Sequence, residues 1–197
     1  MFKKIKQFIV PAFLISFSAS AQAVYPGPYV GLIAGESYTN YTASNTGLSS
    51  ANINNQGLGG GIFAGYQFNL NFSAEINYIR FTNTKFSNIN GTNGPAGRVV
   101  EDAYELFLKG ICPVSNNGFN VSAKVGIAYI NATASHAIFD NNSEAPNESR
   151  GAFTYGVGFG YDVTPTVPVE ISWTRVQNSG NLQNADLAGL SVSYFFG

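Results

Sequence analysis

Ala152-Phe-Thr-Tyr-Gly-Val-Gly-Phe-Gly-Tyr-Asp-Val163 alternates two kinds of residue without a break. Phe153, Tyr155, Val157, Phe159, Tyr161 and Val163 share one parity, and Thr154, Gly156, Gly158, Gly160 and Asp162 the other. Successive side chains of a strand point to opposite faces, so this is a strand with one greasy face and one small or polar face. The same period recurs in Leu58/Gly60/Ile62/Ala64/Tyr66/Phe68, Phe72/Ala74/Ile76/Tyr78, Tyr104/Leu106/Leu108 and Phe119/Val121/Ala123/Val125/Ile127/Tyr129. It returns in Val167/Val169/Ile171/Trp173 and Ala188/Leu190/Val192/Tyr194/Phe196, and more weakly in Val30/Leu32/Ala34, which makes eight strands. Long connections rich in Asn, Ser, Thr and Gly (38–55, 82–100, 133–150, 177–186) alternate with the short links 69–71, 113–118 and 164–166. That rhythm is the layout of a bacterial outer-membrane barrel, with extracellular loops at one end and periplasmic turns at the other. The expected fold is all-β, an eight-stranded antiparallel up-and-down transmembrane barrel. Its even strand number puts both mature termini in the periplasm.

The apolar parity is read as lipid-facing because the other parity carries Glu75, Asn77, Glu105, Lys109, Lys124 and Glu170, with few large hydrophobes. A soluble barrel would need those charges on its surface, where they would be sparse. Composition agrees: charged residues are 11% of the 197-residue chain, against about 25% in soluble domains. Met1-Phe-Lys-Lys-Ile-Lys6, the apolar run 8–17 and Ala21-Gln-Ala23 have the three-part form of a secretory signal. The run is about half the roughly 20 residues of a spanning helix, and Pro11 interrupts it. Residues 1–23 are therefore expected to be cleaved, and 24–197 to form the barrel. Losing Lys3, Lys4 and Lys6 leaves 7 cationic against 11 acidic residues, a net charge of −4, with no basic patch for nucleic acid. A lone cysteine, Cys112, gives neither an internal disulfide nor a lipid anchor at the cleavage site.

Three segments also resemble, in wording, the OmpA/OmpX-type transmembrane barrel: 155–165, Val169-Glu-Ile-Ser-Trp-Thr-Arg175, and Gly189-Leu-Ser-Val-Ser-Tyr-Phe-Phe-Gly197. Tyr29-Val-Gly-Leu-Ile-Ala-Gly35 is similar to that family's first strand. The resemblance implies integration in outer-membrane lipid and assembly by the barrel-assembly machinery, with Gly189, Val192, Tyr194 and Phe196 as the assembly signal. It implies a lumen closed by charged pairs, for which Glu75, Glu105, Lys109, Lys124 and Glu170 are the candidates, although Gly160 stands where the family has an inward carboxylate. The family's peptidoglycan-binding domain is not expected. Outward aromatics fall into two girdles, Tyr78, Tyr104, Tyr129, Tyr155 and Trp173 toward the loops, and Tyr66, Phe72 and Tyr161, with Phe68, Phe119, Tyr194 and Phe196, toward the turns.

Catalysis is disfavoured. Ser135-His136 in the third loop, with Asp140 or Glu144, lacks any nucleophile motif, and His136 is the sole histidine, so no metal site, cofactor or catalytic residue is assigned. Gly57-Leu-Gly-Gly-Gly-Ile-Phe-Ala-Gly65 precedes no helix and reads as strand rather than a phosphate loop. Asn40, Asn90, Asn131 and Asn141 head sequons that imply no glycan. Cys112 is expected on the outward face at the turn rim. Glu36, Lys85, Arg98, Glu101, Asp102, Asp140, Glu144, Glu148 and Arg150 gather charge at the loop side, where a host or cell-surface ligand would be met. The expected function is a structural anchor presenting four surface loops for adhesion, the alternatives being a narrow low-conductance pore and, less favoured, a lipid-modifying enzyme.

Overall fold

A computed structural model describes residues 26–42, 51–88, 97–114, 117–135, 148–180 and 182–196. The strands are β1 (Gly27–Thr39), β2 (Asn52–Asn54), β3 (Gln56–Asn69), β4 (Phe72–Arg80), β5 (Thr84–Ser87), β6 (Gly97–Pro113), β7 (Phe119–Ser135), β8 (Glu148–Thr164), β9 (Val167–Val176) and β10 (Ala185–Phe195). Eight of them close a ring in the order β1-β3-β4-β6-β7-β8-β9-β10, each antiparallel to its neighbours. The first and last strands seal it through a register running from Tyr29↔Phe195 to Thr39↔Ala185. Every backbone edge of the wall is thereby paired, which a spanning sheet requires.

Side-chain chemistry holds the tight turns. Asn69 Oδ1 accepts from the backbone N–H of Asn71 at 2.8 Å and of Phe72 at 3.0 Å. Thr164 Oγ1 accepts in the same way from Thr166 at 3.3 Å and Val167 at 3.0 Å. Asn and Thr supply the acceptor that the reversing backbone lacks.

One residue from each barrel strand stands on the outer wall near mid-height: Leu32, Ile62, Ile76, Leu106, Ile127, Phe153, Ile171 and Leu190, each 50–65% exposed. Such a continuous apolar belt would be costly in water and is what lipid contact demands.

The two small strands correct the expected loops. β2 pairs with β5, and β5 pairs with β6 through Thr84↔Val99 and Lys85↔Arg98. Parts of the connections 38–55 and 82–100 are thus strand, and β6, β7 and β8 run on to Gly97, Ser135 and Glu148. The cause is a second set of buried side chains, in which Thr84 and Phe86 alternate on β5 and Val99 and Glu101 on β6, with Phe81 beside them.

Candidate functional site

The lumen is built from the inward parity, and it has two chemically different halves. Toward the turns it is charged: Gln67, Glu75, Lys109, Lys124, Glu170 and Ser191 line a cavity of about 490 Å³, together with the rings of Tyr29, Phe63 and Phe195. Lys109 Nζ lies 3.3 Å from Glu75 Oε1 and 2.9 Å from Glu170 Oε2. Tyr29 donates its hydroxyl to Glu75 at 2.9 Å, and Ser122 donates to Glu170 at 2.9 Å. One ammonium therefore bridges strands β4, β6 and β9 across the bore.

The other two candidates are held differently. Glu105 accepts from Thr154 Oγ1 at 3.2 Å and from Asn77 Nδ2 at 3.4 Å. Lys124 sits over the Phe107 ring, 4.6 Å from its centroid. Phe107 itself occupies the space above Gly126, where an added Cβ would come within 2.0 Å of the Leu106 carbonyl oxygen. Lys109 makes two ion pairs, whereas Lys124 covers an aromatic face and attracts Glu75 and Glu105 through space without an ion-pair contact. A carboxylate at Gly160 would have to displace the Asn120 side chain, since its Cβ would fall 2.4 Å from Asn120 Oδ1.

Toward the loops the lumen holds a large apolar cluster beside the buried polar side chains of Ser37, Thr39, Thr84, Glu101 and Thr154, and this overturns the expectation that the inward parity holds few large hydrophobes. Ile33, Ile79, Phe81, Phe86, Val99, Ile130, Val176, Leu182 and Leu187 pack into one buried cluster with Tyr41. Ile33, Ile79, Phe81 and Leu187 form the roof of the polar cavity. Period two alone assigns a residue to a face but not to a height. The signal for the plug was present in Ile79 and Phe81, which continue the inward parity of Glu75 and Asn77 upward.

The expected loop-side charges sort into distinct environments. Glu101 is buried rather than displayed. It accepts from the Tyr41 hydroxyl at 2.5 Å. Three residues beyond Tyr104, it stands outside the aromatic-bounded band, and burial pushes its carboxyl up to about 7 despite that hydrogen bond. Asp102 faces outward with Arg80 at 3.0 Å, Arg175 grips Asp186 through two nitrogens, and Glu148 pairs with Arg150. Lys85 and Arg98 are exposed and directly opposite one another. His136, Asp140, Glu144, Asn90, Asn141 and the segment 1–23 lie outside the described residues.

The remaining residues singled out fall on the outer wall or the close-packed seam. Tyr66, Phe72, Tyr104, Tyr129, Tyr194 and Phe196 are exposed on the wall, and Tyr78 packs against Tyr104, as Tyr155 does against Trp173 and Tyr161 against Phe119. Val192 shares the outward parity of Tyr194 and Phe196, and Gly189 faces Gly35 inside. Cys112 is exposed near the turns.

A closed eight-stranded ring with a lipid-type belt is the geometry against which known proteins can be compared. The sequence profile of the outer membrane protein β-barrel domain matches residues 9–196. The chain belongs to the outer membrane protein β-barrel family. Among solved structures of similar shape, OprG of Pseudomonas aeruginosa aligns with a TM-score of 0.57 at 12% identity, over 89% of this chain and 100% of that one. Neisserial surface protein A gives 0.57 at 17% identity, over 86% of this chain and 97% of that one. Ail, the attachment invasion locus protein of Yersinia pestis, in complex with the heparin analogue sucrose octasulfate, gives 0.52 at 14% identity, over 87% and 99%. At these identities the likeness is one of fold. No curated protein matches the sequence.

Proposed function

We propose that this barrel is a closed membrane anchor whose loop end, facing the cell exterior, is a preordered platform for contact with host molecules or neighbouring cells. The observation that carries the reading is the apolar cluster at that end. Residues of the first two long connections, Tyr41 and Phe86, are packed into the same core as the barrel residues Ile79, Ile130 and Leu187. The bases of the loops are thus continuous with the rigid wall, and the cluster seals the bore above the charged cavity. A rigid base reduces the ordering entropy that a loop must lose on binding. Both ends of the mature chain then lie on the periplasmic side, with Gly189, Val192, Tyr194 and Phe196 as the recognition strand for assembly.

A narrow pore is a second reading, supported by the polar cavity below the seal. The experiment that separates the two is a binding screen on host cells and matrix components, using the intact barrel and one with residues 43–50, 89–96 and 136–147 replaced by short turns. Binding by the intact barrel alone supports the platform. Equal binding by the trimmed barrel, or none by either, removes it.

A further inference from the structure

Among the described cationic side chains, Arg80, Lys109, Arg150 and Arg175 are in ion pairs and Lys124 covers an aromatic ring. Lys85 and Arg98 have no ion-pair partner among the described residues, yet they occupy directly opposed positions on β5 and β6, both on the outward face. Like charges directly across a strand pair repel and lower sheet stability. Asn54 extends the row on β2, opposite Lys85 and equally exposed. Three donor side chains in line, two of them charged, suit a polyanion carrying phosphate oxygens.

The same face changes character nearer the membrane. From Arg98 the strand descends through Asp102, whose charge Arg80 already neutralises, to Tyr104 at the aromatic level. Six residues of tilted strand place the cations about 15 Å above that level, in the layer of sugars and phosphates rather than of acyl chains. From that level downward, Tyr104, Leu106, Ile127, Tyr129 and Phe153 line a cleft on the outer wall with Gly151, and Gln177, Asn178 and Ser179 border it as well. A Cβ built on Gly151 meets nothing within 4 Å, so the space over it is open. The outer face of β5–β8 therefore presents a cleft that runs from the aromatic level toward acyl depth and, above it, a cationic row at head-group height.

We infer that β5–β8 form a binding site for one molecule of the outer leaflet's phosphorylated glycolipid, a lipopolysaccharide, with an acyl chain along the Gly151 cleft and sugar-linked phosphate on Lys85 and Arg98. The inference rests on the orientation given above but not on the platform's partner. Glycolipid is the occupant because it alone joins several phosphates to acyl chains on one rigid sugar frame, matching both halves of the site. A free sulfated glycan would meet only the upper half.

The test uses the full mature barrel folded into nanodiscs containing lipopolysaccharide, the same glycolipid stripped of phosphate, or phosphatidylglycerol, with lipid retained after transfer to mild detergent as the readout. The parent should keep phosphorylated glycolipid in preference to the other two. Lys85→Gln with Arg98→Gln should lower that retention about tenfold or more, since each cation near an anionic surface contributes of the order of tenfold or less on its own. Gly151→Phe should also lower it, by filling the cleft without touching the cations, and both variants should keep the folded mobility of an unheated sample. The loop-trimmed barrel should retain glycolipid even if it loses its adhesion partner. Equal retention by parent and double variant overturns the proposal, as does equal retention of phosphatidylglycerol. Heparin binding by the parent in lipopolysaccharide-free discs, without glycolipid retention, overturns it in favour of a soluble glycan.

Discussion

Lys109 is the residue on which the polar half of the lumen depends, because two carboxylates from different strands share its ammonium. Lys109→Ala leaves Glu75 and Glu170 as facing carboxylates without that cation, and breaking such a buried pair costs about 3–5 kcal/mol. Denaturant unfolding followed on an unheated gel should show the loss; unchanged stability would mean that the contacts of Tyr29 and Ser122 suffice to hold the carboxylates. Glu101 makes a pH-dependent contribution of a different sign from an ordinary surface acid. Its folded pKa, about 7, lies above the ordinary 4.5, so the folded state holds the proton more tightly. Stability is full below about pH 4.5 and declines as pH rises through 7, by up to about 3 kcal/mol. The hydroxyl that Tyr41 donates eases the charge on Glu101, so burial alone is what raises it. Unfolding midpoints at pH 5 and pH 8 should differ in the parent and differ less in Glu101→Gln. A midpoint that rises toward pH 8 would contradict the buried-acid account.

At the level of strands, facing and height are separate properties. Facing is legible in the sequence: the alternation that begins at Phe153 puts Leu106 and Ile127 on the wall, where they are found. Leu106→Arg should therefore cost about 2–4 kcal/mol in lipid, while Ser122→Asn on the lumen face should be milder, both read from folded fraction against urea. A harmless Leu106→Arg would exchange inside for outside. Height was not legible. Nothing in the run Thr82 to Val100, rich in Asn, Thr and Gly, distinguishes a loop from a short strand until Phe86 and Val99 are seen to bury together. The same is true of Glu101, whose charge suggests exposure and whose partner, Tyr41, is 60 positions away. Long-range pairing of this kind leaves no local trace. Phe86 is fully buried, so Phe86→Ala should cost the platform about 3–5 kcal/mol. Protease should then cut near β2 and β5 while the barrel keeps its unheated mobility. Cutting no faster than in the parent would show that the small strands do not depend on that ring.

For the whole molecule, the ring of eight strands, the apolar belt and the family assignment agree on a membrane barrel, and the interior determines what kind. The charged cavity is roofed by the side chains of Ile33, Ile79, Phe81 and Leu187. An ion entering from the turn end would have to shed its water against hydrocarbon, which is prohibitive without a partner. The Lys109 cluster was readable as five inward charges, but its geometry and the seal above it needed the packed structure. The most direct measurement is single-channel current through the parent protein in planar bilayers. The closed-anchor account predicts rare, small openings and no sustained conductance, with Lys109→Ala still sealed by the apolar roof. Large, stable currents from the parent would contradict it and make the barrel a pore.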